Sequence, residues 1–217
     1  MPLLTSPAGY GLRPVGMVGG GAYNGSSETI AVNVGLGTAV CTGNLLAISA
    51  AGVISAVTGA VTGNTASILG VLVGVEYTDA KGDYTIGTYL PTGVFADNNA
   101  SYKSPKLQVV TDPNVVFETL ADHTASQAIL SAAGAQLSIS AVATISTIAP
   151  NRTDIFGTAT GLLTGVATGS SKALRVLPTP VDTVEDAIAN YASPNWYATV
   201  LVRICPSVHV STALTGI

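Results

Sequence analysis

Catalysis and metal binding call for side chains whose proton affinity can be set and whose geometry can be fixed. This 217-residue sequence offers few of them. Its two histidines are His123 and His209. His209 follows Cys205 at a Cys-x-x-x-His spacing, which is half of a zinc site, but a tetrahedral site takes four ligands and no second Cys or His pair exists. A Ser/His/Asp arrangement is open by count alone, yet no Gly-x-Ser-x-Gly elbow is present to place the serine. Glu76, Asp79 and Asp83 lie close together in sequence. As oxygen donors they would suit a hard cation, and as a carboxylate pair they would suit hydrolysis of a surface polysaccharide. Their spacing is not that of an EF-hand loop, and the plainer reading is a solvated turn. Gly19-Gly20-Gly21 lacks the Gly-Lys-Ser/Thr of a phosphate loop and reads as a flexible joint. The residues therefore predict a protein that is not an enzyme, with no cofactor and no metal, whose histidines are surface or hydrogen-bonded structural residues.

The elements around these residues are strands. Short runs rich in Val, Ile, Thr and Leu, punctuated by Gly and Asn, predict a mainly β chain. The fold class expected is a compact β-barrel or β-sandwich-like body of short strands, with few short helices and an extended N-terminal arm. Asn44 to Val57 reads as a hairpin, with Leu46 and Ile48 on one face and Ala50-Ala51-Gly52 at the turn. Ile68 to Tyr77 is almost wholly apolar, so it predicts a strand buried on both faces. Asp79 to Asp83 is the polar turn after it, and Tyr84 to Leu90 returns. Leu107 to Val110 and Val115 to Leu120 flank Thr111-Asp112-Pro113-Asn114, and together they read as a second hairpin. Ala125 to Ala133 and Thr183 to Tyr191 are candidate helices, the latter with Asp182 as N-cap. Val200, Val202 and Ile204 alternate with Leu201, Arg203 and Cys205, the period of a strand with one face in a core. Residues 1 to 28, with Pro2, Pro7, Pro14 and the three glycines, read as the arm. Residues 29 to 217 form the body, bilobed near residue 122. The arm's docking residues are expected to be Tyr10, Leu12, Arg13, Pro14, Val15, Met17 and Tyr23, with Val18 beside them, because exposed apolar side chains gain by covering a partner.

Composition narrows the partners. Only 9% of residues are charged, and from Thr29 to Val75 there is no formal charge at all. An average soluble domain carries roughly a quarter of its residues as ions. Such a stretch calls for a cover. A membrane is excluded as a helical cover because no run approaches the roughly 20 apolar residues that a span requires. An outer-membrane barrel would show aromatic girdles and an export signal, and Met1-Pro2-Leu3-Leu4-Thr5 lacks the basic start of a secretory leader. Assembly in a host cytoplasm is expected, with Cys41 and Cys205 as free thiols. A net charge of −4 with eight scattered Lys and Arg excludes a nucleic-acid stripe.

The order of several short segments carries a resemblance. Tyr10-Gly11-Leu12-Arg13-Pro14-Val15, Gly19-Gly20 and Tyr23-Asn24-Gly25-Ser26 resemble the N-terminus of the capsid cement, or head decoration, proteins of tailed bacteriophages. Gly74-Val75-Glu76-Tyr77-Thr78-Asp79, then Asp112-Pro113 with Val116-Phe117-Glu118 and Ala121-Asp122, are similar to the family's next landmarks. Tyr197-Ala198-Thr199-Val200-Leu201-Val202-Arg203-Ile204 is similar to its closing strand, followed by His209 and Thr215-Gly216-Ile217. Cys205-Pro206-Ser207 departs from the family's polar, Asn-rich turn. The resemblance implies a virion protein on the outer surface of the head, a homotrimer at threefold or quasi-threefold positions, with its arm ordered against the major capsid protein. Trimerisation would also cover the charge-free stretch. With so few ions, binding should be largely apolar and only weakly salt-dependent. A head fibre or adhesion spike would share the β-rich, Thr-rich composition, but such fibres usually carry repeats and none is found here.

Overall fold

The computed structural model describes residues 11–57, 67–94, 101–121, 141–146, 162–168, 174–177, 198–205 and 209. Tyr10, His123 and both candidate helices lie outside the described residues. In chain order the strands are β1 (Arg13–Met17), β2 (Glu28–Ala31), β3 (Val40–Cys41), β4 (Leu45–Ile48), β5 (Ile54–Ala56), β6 (Ser67–Thr78) and β7 (Tyr84–Gly87). There follow β8 (Tyr89–Leu90), β9 (Lys103–Val110), β10 (Val115–Ala121), β11 (Ala141–Ser146), β12 (Leu162–Thr168), β13 (Leu174–Val176) and β14 (Ala198–Ile204). No helix occurs among the described residues, and the mainly β, sandwich-like fold expected from the sequence is the one observed.

One sheet has the order β2-β9-β6-β4-β5, with β7 on the other half of β6. The β4–β5 hairpin is the one the sequence predicts, with Leu46 opposite Ala56 and Ile48 opposite Ile54. Its turn is tied by Ser49, whose Oγ accepts from the Val53 amide at 3.1 Å. The twelve residues of β6 carry this sheet. Their near-continuous apolar run feeds two cores: Ile68 and Val71 enter one, and Leu72, Val75 and Tyr77 enter the other.

The second sheet runs β1-β10-β12-β11-β13-β14, and β14 also pairs with β10. The last five strands therefore close on themselves, with β10 meeting β12 in parallel at Ala121 and Leu163 and meeting β14 antiparallel from Phe117 to Ala121. Closure removes the open edges that a sheet of short strands would otherwise present. On its inner side Phe117, Leu174, Val200, Val202 and Ile204 pack with Leu12, Leu45, Ile68, Val71 and Val110 in the first core. The second core gathers Val32, Leu36, Val40, Leu46, Leu90, Leu107 and Val109 around the other face of β6.

Three expectations change. The segment 107–120 is not a hairpin: the turn forms, with Asp112 Oδ1 accepting from the Asn114 amide at 2.8 Å, but β9 pairs with β6 and β2 while β10 pairs with β1 and β14. The turn is a corner between the two sheets. The described part of the charge-free stretch is covered from within, because it builds most of the second core. Val34, 54% exposed, is its one large apolar side chain left in solvent among the described residues. The segment 11–31 is not wholly an arm, since it contributes β1 to one sheet and β2 to the other.

Candidate docking surface

β1 lies antiparallel on β10, with Arg13 opposite Glu118, Pro14 opposite Phe117, Gly16 opposite Val116 and Met17 opposite Val115. Pro14 has no amide hydrogen, and an edge strand is where a sheet tolerates that loss. The pairing then divides the seven expected docking residues. Leu12, only 2% exposed, is buried in the first core, and its amide donates to the Gly43 carbonyl at 2.9 Å. Met17 and Tyr23 pack against the same core. Tyr23 Oη donates to the Ser26 carbonyl at 2.6 Å, and burial raises the phenol pKa. These three side chains anchor the chain to itself. Arg13 is exposed and stands directly across from an opposite charge. Val15, 41% exposed, and Val18, 45% exposed, remain outside.

Gly19-Gly20-Gly21 forms a tight turn: the Met17 amide donates to the Gly21 carbonyl at 2.7 Å, and the Gly20 amide to the Met17 carbonyl at 3.1 Å. The Val18 amide reaches the Asn114 carbonyl at 2.8 Å, so the turn is pinned to the corner between the sheets. The result is a shallow groove of about 530 Å3, its floor and walls made by Val15 to Gly21 with Val116, Leu177 and Leu201. Val116, Leu177 and Leu201 were beyond the sequence. Leu201 could be read as the outward member of an alternating strand, but nothing in sequence sets it beside Val15.

Two of the three carboxylates seen in the sequence, Asp79 and Glu76, are already engaged. Asp79 Oδ1 accepts from the amides of Lys81 at 2.8 Å and Asp83 at 2.9 Å. Those backbone donors, Asp83 first, hold the Asp79 carboxyl below its usual range. The residue is a turn cap between β6 and β7. Glu76 accepts from Gln108 Nε2, and Gln108 Oε1 in turn accepts from Ser27 Oγ at 3.2 Å. A hydrogen bond to Glu76 also raises the Tyr84 phenol. Tyr84, Glu76, Gln108 and Ser27 thus form a ladder across the outer face of the sheet. No group of three or more potential metal ligands occurs among the described residues. Cys41 and Cys205 are free thiols, and burial pushes Cys41 up to about 12.

No known protein family, curated protein or solved structure matches this chain. What the arrangement offers is a mostly apolar groove at an edge strand, on a body with two cores. His209 is buried, and its backbone bridges to Ile68 on β6. No helix among the described residues is long and apolar enough to cross a membrane.

Proposed function

We propose that this chain is a structural virion protein, a capsid cement or head decoration protein of a tailed bacteriophage. It acts without catalysis, as a trimer seated on the major capsid protein at the outer surface of the head. The observation that carries the reading is where the family-like segments lie. Arg13-Pro14-Val15, Val116-Phe117-Glu118 and Thr199 to Val202 are far apart in sequence, yet they occupy three adjacent strands, β1, β10 and β14. Three of the segments that resemble the cement proteins thus lie side by side, and the groove opens on them, while a fourth, Gly74 to Asp79, lies at the end of β6 in the other sheet.

Cementing asks for no proton transfer. It asks for many copies that each bridge neighbouring capsid subunits, so that releasing one means breaking several contacts. Val15 and Val18 are apolar side chains held in the open by a tight turn, and the cost of ordering them is met before a partner arrives. The test is reconstitution. The purified chain is mixed with heads that lack it, the heads are pelleted, and both occupancy and the temperature of genome release are read. Co-sedimentation at a fixed ratio with a raised release temperature supports cementing. A chain that stays in the supernatant refutes it for those heads.

A further inference from the structure

β7 is an edge strand of the first sheet. It pairs with β6 alone, and its four residues carry no charge, no proline and no bulge. Those are the devices by which an edge strand avoids pairing with another chain. Tyr84, 63% exposed, and Ile86, 66% exposed, are the most exposed large apolar side chains among the described residues, and they stand two apart on one face. The backbone beside them is open as well. The Asp79 amide donates to the Asp83 carbonyl at 2.9 Å, and along an antiparallel ladder bonded and unbonded pairs then alternate. Tyr77 with Thr85 and Val75 with Gly87 are the bonded pairs, so the amides and carbonyls of Tyr84 and Ile86 point away from β6. Thr88, next in the same outward row, agrees with this phase, because its carbonyl accepts from the Thr42 amide at 2.9 Å. At Tyr84 and Ile86 nothing takes that place among the described residues.

We infer that β7 pairs antiparallel with β7 of a second copy of this chain, across a twofold axis at Thr85. The register follows from the row of outward groups. With Tyr84 opposite Ile86 of the second copy, and Ile86 opposite the second copy's Tyr84, all four outward amides and all four outward carbonyls are used. Pairing Ile86 with its own copy would bring Tyr84 to Thr88, whose carbonyl is already taken, and pairing Tyr84 with its own copy would bring Ile86 to Gly82 in the turn. The chosen register also sets an aromatic ring beside a β-branched side chain twice, a favourable cross-strand pair. Charges agree with it: outward from Ile86 the next residue across the sheet is Glu76, and outward from the second copy's Tyr84 the row runs through Thr78 to Lys103. Like charges therefore do not meet. Two short strands bury less than the about 1,000 Å2 of a stable interface, so the contact is weak and gains when copies are held side by side. β7 contributes nothing to the groove, and the inference holds whether or not the chain sits on a head.

The test is disulfide trapping in the full-length chain. Thr85 would face its own copy as an unbonded pair, with Cα atoms about 4.5 Å apart, which suits a disulfide. Lys81, exposed in the turn of the same hairpin, would lie about 25 Å from its copy. Under mild oxidation Thr85→Cys is expected to give covalent dimer at least about tenfold faster than Lys81→Cys, although Thr85 is half-buried and random collision favours the exposed site. Adding Ile86→Lys, which touches no bond to β6, should abolish the Thr85→Cys dimer, and wild type sets the background from Cys41 and Cys205. In case Thr85→Cys fails to fold, the wild-type chain gives a second readout: the Tyr84 and Ile86 amide resonances should shift together as concentration rises roughly a hundredfold, and Ile86→Lys should remove the shift. Lys81→Cys dimers forming as fast as Thr85→Cys dimers, or concentration-dependent shifts that spare Tyr84 and Ile86, would overturn the proposal.

Discussion

Substituting Gly70 by alanine should be among the most damaging single-methyl changes available to this protein. Gly70 lies in β6 opposite Leu46 and has a φ of +155°, outside the range that other residues favour. A Cβ built there overlaps the Val110 carbonyl oxygen and comes within 2.8 Å of Val109 Cγ1 and 2.9 Å of the Val110 carbonyl carbon. The obstruction is mostly backbone, and β9 cannot retreat because β6 and β2 hold it on both sides. Overpacking of this kind costs about 1–3 kcal/mol, and the unfavourable φ adds about 1–2 kcal/mol. Alanine also stiffens the unfolded chain, which returns about 0.4–1 kcal/mol. The net loss is about 2–4 kcal/mol, a large part of the about 5–15 kcal/mol that a folded domain has. Gly82→Ala is the control. Gly82 has a φ of +95° with nothing within 4 Å of the added atom, so only the conformational cost of about 1 kcal/mol remains. Urea unfolding followed by far-UV circular dichroism should place the Gly70→Ala midpoint about 0.3–1.5 M below that of Gly82→Ala, taking a slope of about 2–3 kcal/mol per molar. Equal midpoints for the two variants would refute the reasoning, because the close approach of β9 would then carry no weight.

Leu12→Ala should cost about 2–5 kcal/mol in the same assay, as expected for a buried leucine, whereas Val15→Ser with Val18→Ser should leave stability within about 0.5 kcal/mol and reduce head occupancy. If the double serine variant unfolds early, the groove is a core feature rather than a docking one. The Asp79 carboxyl is held below its ordinary pKa in the folded chain, so its contribution to stability is complete above the usual carboxylate range and fades as the pH falls through the folded value. Urea midpoints of the wild type and Asp79→Ala should therefore differ at pH 7 and converge in acid; a constant gap would contradict the turn-cap role. Toward a thiol reagent at pH 8, Cys41, pushed up to about 12, should stay silent until the protein unfolds, while the half-exposed Cys205 reacts first. Simultaneous reaction of both in the native state would show that the buried site of Cys41 opens without unfolding.

The strands of local origin were legible in the sequence. β6 and the β4–β5 hairpin are bounded by turn residues and carry clear apolar patterns, and Val200, Val202 and Ile204 do fill a core as their alternation requires. Pairing partners were not legible. Asp112-Pro113-Asn114 announces a change of direction, but the same turn chemistry serves a hairpin or a corner between sheets, and here it is the corner. Leu12 looked like part of an arm because glycine and proline surround it, while the acceptor for its amide, Gly43, lies in a different part of the chain. The groove was invisible for a related reason. Part of it comes from Leu177 and Leu201, whose place beside Val15 depends on a third strand, β10, between them. Asp79, by contrast, followed by Gly82, carried its turn role openly.

The closure of β10 to β14, with β1 laid on its edge, sets an order in which this protein can be made. The sheet built on β6 is complete once Val110 has been synthesised, so it can form while the rest of the chain is still in the ribosome. β1 must wait for Glu118, roughly a hundred residues downstream, which at typical rates is about 5–20 s of translation. Throughout that interval Val15, Met17 and Val18 have been made and the strand they lie on has no partner yet. The same edge that is available on the finished protein is available on every nascent chain of a polysome, and neighbouring chains can meet through it before any of them is complete.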